Sequence, residues 1–135
     1  MPARRCSSTA ATCYIRTVAV TPADLRETLM ARARQKRARA EARRHVVVEA
    51  AERAASDLVG TGRIAAAWLI GSTVWGGFGE RSDVDVVVRG LDVSQRMAAE
   101  DLFGAACQGS VDLLRFEELD AAFQARVERE GRRIA

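Results

Sequence analysis

From Pro22 the chain runs to Asp57 with no glycine and no further proline, and no other feature constrains the fold as strongly. Thr21-Pro22-Ala23-Asp24 places a hydroxyl at an N-cap, a proline in the first turn and a carboxylate at the third helical position. Each of these satisfies or complements the free N–H groups of a helix start. Leu25, Leu29, Ala33, Ala40, Val47, Ala51, Ala54 and Leu58 then recur mostly at three-to-four or seven-residue intervals, which puts them on one helical face. Gly60-Thr61-Gly62 ends the run, so one long helix over 21–59 is expected, leaving 60–135 to form a compact domain.

The remainder is punctuated quite differently. Ile64–Ile70 is an apolar run closed by Gly71 and reads as a buried strand; Val84–Val88 is β-branched, ends at Gly90 and reads as a second. Between them, Gly71–Ser82 carries four glycines and is expected to be loop with at most a turn of helix. Ser94–Cys107 has helical composition with Ser94 as its N-cap, Val111–Phe116 is a third strand, and Glu117–Glu130 is a last helix stopped by Gly131. The fold class expected is α/β: a short mixed sheet of three or more strands, backed by helices on one side, with a long N-terminal helix. Residues 1–20 hold few large apolar side chains and are expected to form a frayed tail.

Composition narrows the function. At 135 residues the chain has room for one core, and no apolar run approaches the roughly 18 residues of a membrane span. The net charge of +3 is unevenly spread: residues 1–59 hold twelve Lys/Arg against six Asp/Glu, residues 60–135 nine against twelve. Cys6, Cys13 and Cys107 form no paired spacing, and His45 is the only histidine, which argues against disulfide frameworks, zinc sites and histidine triads. With no secretory h-region after Arg4 and Arg5, a reduced cytoplasmic setting is expected.

The chemistry lies in Gly71-Ser72, followed after ten residues by Asp83-Val84-Asp85, and in Asp112 of Val111-Asp112-Leu113-Leu114. Residues two apart on a strand share a face, so Asp83 and Asp85 present two like charges together. A cation is the economical neutraliser of such a pair, and hard carboxylate oxygens suit Mg²⁺. Gly71 allows close backbone approach to a phosphate and Ser72 adds a hydroxyl. If the third strand lies beside the second, Asp112 completes a group of three carboxylates.

This pattern resembles the DNA polymerase beta-type nucleotidyltransferase superfamily, and within it the minimal nucleotidyltransferase branch, over about residues 22–133. The resemblance implies that Asp83, Asp85 and Asp112 bind metal, two Mg²⁺ ions, and that Asp112 takes the proton of an attacking hydroxyl. Gly71 and Ser72 would hold the triphosphate of ATP, with Arg81 a further phosphate contact. It also implies a HEPN-domain toxin as partner and AMP acceptor, through a tyrosine, which would make this chain an antitoxin. The chain departs from the branch at Trp75, where many members carry arginine.

Other readings compete at several positions. Ser82-Asp83 alone fits an Asx turn, and Asp112 alone fits a strand-edge acid. Trp68 reads as core, whereas Trp75 and Phe78 on the glycine loop are open to a base or a partner. The eight basic residues of Arg26–Arg44, against Glu27 and Glu41, fit a solvated helix face, RNA binding or an acidic partner. A nucleotidyltransferase fold that neutralises its partner by contact alone is the main alternative to an enzyme. Homo- or hetero-oligomers fit either.

Overall fold

The computed structural model describes residues 19–135, so the tail expected over 1–20 lies almost wholly outside the described residues, as do Cys6 and Cys13. Helix α1 spans Pro22–Gly60. Thr21 and Asp24 close a reciprocal capping box, in which the Thr21 hydroxyl accepts from the Asp24 N–H and the Asp24 carboxylate accepts from the Thr21 N–H. Strand β1 (Ala66–Ile70) is followed by the short helix α2 (Ser72–Trp75) and strand β2 (Val84–Arg89). Helix α3 (Arg96–Cys107), strand β3 (Val111–Arg115), helix α4 (Ala121–Glu130) and the two-residue strand β4 (Arg132–Arg133) complete the order.

The four strands form one mixed sheet in the order β3-β2-β1-β4. β2 runs antiparallel to β1 and parallel to β3, and β4 adds to the other edge of β1. Two apolar clusters flank the sheet. Val86 and Val88 of β2 and Val111 and Leu113 of β3 face α1 and α3, where Val47, Ala51, Ala54, Leu58 and Phe103 are buried. Trp68, Ile70 and Val87 face the opposite way, onto Phe116 and Val127 of the α4 side. Helices therefore cover both faces, not one; the strands are apolar on both sides because both are buried.

Several local expectations shift. β1 begins at Ala66 rather than Ile64, because the Ile64 N–H goes back to the Leu58 carbonyl to finish the helix turn. Ser94 does not cap α3: Asp92 accepts from the Ser94 N–H and opens a 3-10 turn, Val93–Gln95, before the helix. Likewise α4 starts at Ala121, capped by Asp120, and not at Glu117, because Phe116–Glu118 is a separate 3-10 turn. β4 has no hydrophobic signature and was not expected; Arg132 pairs with Leu69 through backbone alone.

The apolar series along α1 is interrupted in its role. From Val47 onward it is buried, but Leu25 and Leu29 are 52% and 54% exposed. One continuous helix thus has a packed C-terminal half, built into the core, and an unpacked N-terminal half. Phe103→Ala should cost about 3–5 kcal/mol of unfolding free energy, since Phe103 is fully buried between helix and sheet. Leu29→Ala should stay within about 0.5 kcal/mol of wild type; urea denaturation of the two variants checks the contrast.

Candidate active site

Strand register brings the acidic residues together. Asp85 is the partner of Ile70 across β1–β2 and of Asp112 across β2–β3. Because Val84, Val86 and Val88 point to the α1–α3 side, Asp85 emerges on the α4 side, at the end of the sheet where β1 stops and β2 and β3 begin. Asp112 leaves the same face between the inward Val111 and Leu113. Asp83 lies two residues ahead of Asp85, at the exit of the glycine loop.

The electrostatics report this grouping. Burial holds the Asp85 carboxyl above the ordinary aspartate range, and the facing charges of Asp112 and Asp83 push it the same way. Among the described residues no hydrogen bond or ion pair engages any of the three carboxylates. As their side chains stand, no three His, Cys, Asp or Glu groups among the described residues converge tightly enough to hold a metal ion. The backbone register, however, sets neighbouring strands about 4.8 Å apart. Asp85 and Asp112 stand side by side on those strands, and carboxylate oxygens are the kind of donor that Mg²⁺ takes.

Gly71 sits directly over Asp85. It has φ +69°, and a Cβ there would overlap the Asp85 carboxylate. Only glycine combines that left-handed backbone with that close approach. Gly71 caps α2, and Ser72 is its first residue. Within α2 the Thr73 hydroxyl is buried without a partner. Arg81 is exposed at the far end of the loop, lining with Lys36, Gly79, Glu80 and Ser82 a cleft of about 590 Å³ between the loop and α1. It is near Asp83 in sequence but is not joined to the carboxylates by any contact.

Both loop aromatics prove to be tied down. The Trp75 indole N–H donates to the Glu130 carbonyl at 3.2 Å, and the Arg126 guanidinium covers its ring at 4.0 Å. Arg43 covers Phe78 at 4.9 Å. Trp68 is core, 4% exposed and stacked on Phe116. Sequence reasoning missed Arg43, Arg44 and Arg126 as neighbours of this loop; they stand in Arg-rich helices where nothing in the pattern separates a contacting arginine from a solvated one.

Two substitutions test this geometry. Gly71→Ala should destabilise by about 1–3 kcal/mol, through backbone strain and displacement of Asp85. Asp85→Asn should do the opposite in the presence of a chelator. The folded chain keeps the Asp85 proton to a higher pH than the unfolded chain does, so ionisation of Asp85 lowers stability as pH rises through its elevated pKa. Asp85→Asn is therefore expected to raise Tm by roughly 2–4 °C at about pH 8 and to lose that advantage towards about pH 4, as scanning calorimetry would show.

Comparison with known proteins accords with this geometry. The family described as "Polymerase beta, Nucleotidyltransferase" matches residues 54–135, from late in α1 to β4 and beyond. A toxin–antitoxin crystal structure containing AMP-PNP superposes with a TM-score of 0.53 at 21% identity, over 62% of this chain and 72% of that one. A MntA–HpeT toxin–antitoxin mutant, in which two aspartates two positions apart are changed to glutamate, gives a TM-score of 0.52 at 19% identity and the same coverages. At these identities the two structures speak for the fold. Among curated proteins, none matches. The family match spans more than half of the chain and takes in Gly71-Ser72, Asp83, Asp85 and Asp112: this protein belongs to the polymerase beta nucleotidyltransferase family.

Proposed function

We propose that the protein transfers a nucleoside monophosphate, AMP from ATP, to a hydroxyl presented by a partner protein. The observation that carries the reading is the pairing of Asp85 with Asp112 across β2–β3, next to Asp83 and beneath Gly71, with no cation of the described chain facing them. Mg²⁺, held by Asp83, Asp85 and Asp112, would screen the triphosphate and stabilise the attacking and leaving oxygens. The Gly71 turn and the Ser72 hydroxyl would receive the β- and γ-phosphates. Asp112, the more open of the paired carboxylates, would accept the proton of the acceptor hydroxyl. The new bond joins that oxygen to the α-phosphorus, the bond to the β-phosphate oxygen breaks, and pyrophosphate departs. The chain's contribution is chiefly positioning and charge.

On this reading the acceptor is held by a partner protein. The sheet and its helices use the core side chains to hold themselves together, and no additional lobe stands beside the carboxylate edge among the described residues. Both similar structures are named as toxin–antitoxin assemblies, one with an ATP analogue and one altered at an aspartate pair spaced like Asp83 and Asp85. They support a toxin as partner and this chain as the antitoxin; a HEPN-type toxin with a tyrosine as the acceptor is what the sequence resemblance adds. No helix of the described residues is long and apolar enough to cross a membrane.

The test is transfer itself. Incubated with Mg²⁺, α-labelled ATP and the product of the adjacent gene, the wild-type chain should label that partner on tyrosine. The Asp83→Ala/Asp85→Ala variant should do so at least about a hundredfold more slowly. Equal labelling by the variant, or none by wild type, defeats the enzymatic reading. Partner neutralisation persisting in the variant would then identify a contact-only antitoxin. RNA affinity that falls steeply with salt would instead assign the basic helix to nucleic acid.

A further inference from the structure

Eight basic side chains crowd residues 26–44, and two of them, Arg43 and Arg44, are half-buried. Arg43 Nη1 donates to the Gly79 carbonyl and to the Ser82 carbonyl, both at 3.0 Å. The same guanidinium lies over Phe78. One turn-neighbour along, Arg44 Nε donates to the Thr73 carbonyl at 2.6 Å. These are contacts between α1 and both arms of the loop that runs from Gly71 to Asp83. They are long-range in sequence and partly buried.

The loop needs such ties. Gly71, Gly76 and Gly77 all have positive φ, with values of 69°, 102° and 83°. A segment this rich in glycine loses much conformational entropy when fixed. Its own bonds are few: the Val74 and Trp75 N–H groups reach the Gly71 carbonyl, the Gly79 N–H reaches the Ser82 hydroxyl and the Ser82 N–H reaches the Gly79 carbonyl, which closes the first and last turns and leaves the two arms unjoined to each other. Helix α2, four residues long, leaves its carbonyls without helical partners. Arg44 takes one of them, and Arg43 takes the two carbonyls of the turn that leads into Asp83. Hydrogen bonds from a charged donor are about twice as strong as neutral ones.

We infer that Arg43 and Arg44 are positioning residues of the nucleotide site, clamping the glycine loop from α1 so that Ser72 and Asp83 are presented in fixed places. They touch the loop backbone and not the reacting atoms. The matched family region begins at residue 54, so the clamp is supplied by a part of α1 that lies outside it. The inference rests on the transfer reaction proposed above for its kinetic consequence, but not for its structural one.

The test therefore has two arms. In hydrogen exchange of the full chain, Arg43→Ala should speed exchange of the Gly76–Ser82 amides about tenfold. In transfer assays with Mg-ATP, it should raise the nucleotide KM about tenfold and leave the acceptor KM unchanged. Arg44→Ala should loosen the α2 arm instead. Arg43→Lys keeps the charge but not the planar fork or the stacking on Phe78, so it should fall between wild type and alanine. It also serves if the alanine variant does not fold. Arg37→Ala and Arg39→Ala, exposed on the same helix, should match wild type in both arms. Loop exchange or nucleotide KM unchanged in Arg43→Ala overturns the clamp, as does a change confined to the acceptor KM. If wild type transfers nothing, the proposed reaction fails while the exchange arm still decides whether α1 holds the loop.

Discussion

The parallel register of β2 against β3 is the constraint on which the site depends. It sets Asp85 opposite Asp112, and it is enforced from the other face of the sheet. Val84, Val86, Val88, Val111 and Leu113 are buried against α1 and α3, each 6% exposed or less. Burying a side chain of this size stabilises by about 1.5–3 kcal/mol. Two carboxylates at 4 Å repel by about 1 kcal/mol in water and about 4 kcal/mol at an effective dielectric of 20. Five apolar side chains outweigh that repulsion. A slip of β3 by one residue would relieve it only by turning Asp112 into the α1–α3 core and Val111 and Leu113 out of it. The hydrophobic alternation is therefore what keeps like charges side by side, and a strand pair selected only for stability would have no reason to carry aspartate at that register.

Much of this was legible in the sequence because the signals were local. The capping box at Thr21 and Asp24, the stop at Gly60 and the β-branched run from Val84 each depend on a few neighbouring residues, and the elements formed where they predicted. The pairing of Asp85 with Asp112 was legible for a related reason, since it needs only that the second and third strands be neighbours, whereas Asp83 falls one residue before β2. What escaped was settled by tertiary contact. β4 is two arginines with no strand propensity, paired with β1 and tied by Arg132 to Glu52 of α1. Covering of the second sheet face by α4 depends on Phe116 and Val127 meeting Trp68 and Val87, which no spacing announces. α3 and α4 start later than expected, at Arg96 and Ala121, because a 3-10 turn intervenes before each helix, the first of them capped by Asp92.

The aromatic residues show the same limit in reverse. Trp75 and Phe78 stand on a glycine-rich loop, where exposed aromatics suggest a binding surface. Each is instead covered by an arginine from a helix far away in sequence, Arg126 or Arg43, and Trp75 is further fixed by its bond to Glu130. The loop is thus pinned between α1 and α4, which pack on opposite faces of the sheet. Its glycines supply conformations that other residues would strain to adopt, and the two helices supply the order that glycine does not.

A last question is why α1 stays helical where it packs on nothing. Nucleation is the costly step in helix formation, and propagation costs little for good helix formers. The packed stretch from Val47 to Leu58 acts as a nucleus already stabilised by the core. Residues 23–44 then need only extend it, and they consist largely of alanine, arginine, glutamate and lysine, with a capping box closing the far end. Like-charge repulsion among the arginines opposes this, and with only Glu27 and Glu41 in the stretch Arg26–Arg44 it is offset very little within the helix. Arg43 and Arg44 stand at the junction of the two halves, where the helix leaves the core. There they exchange mutual repulsion for backbone carbonyls of the loop. The junction thus joins two segments that each lack something: a basic helix with too few acids, and a glycine turn with too few bonds.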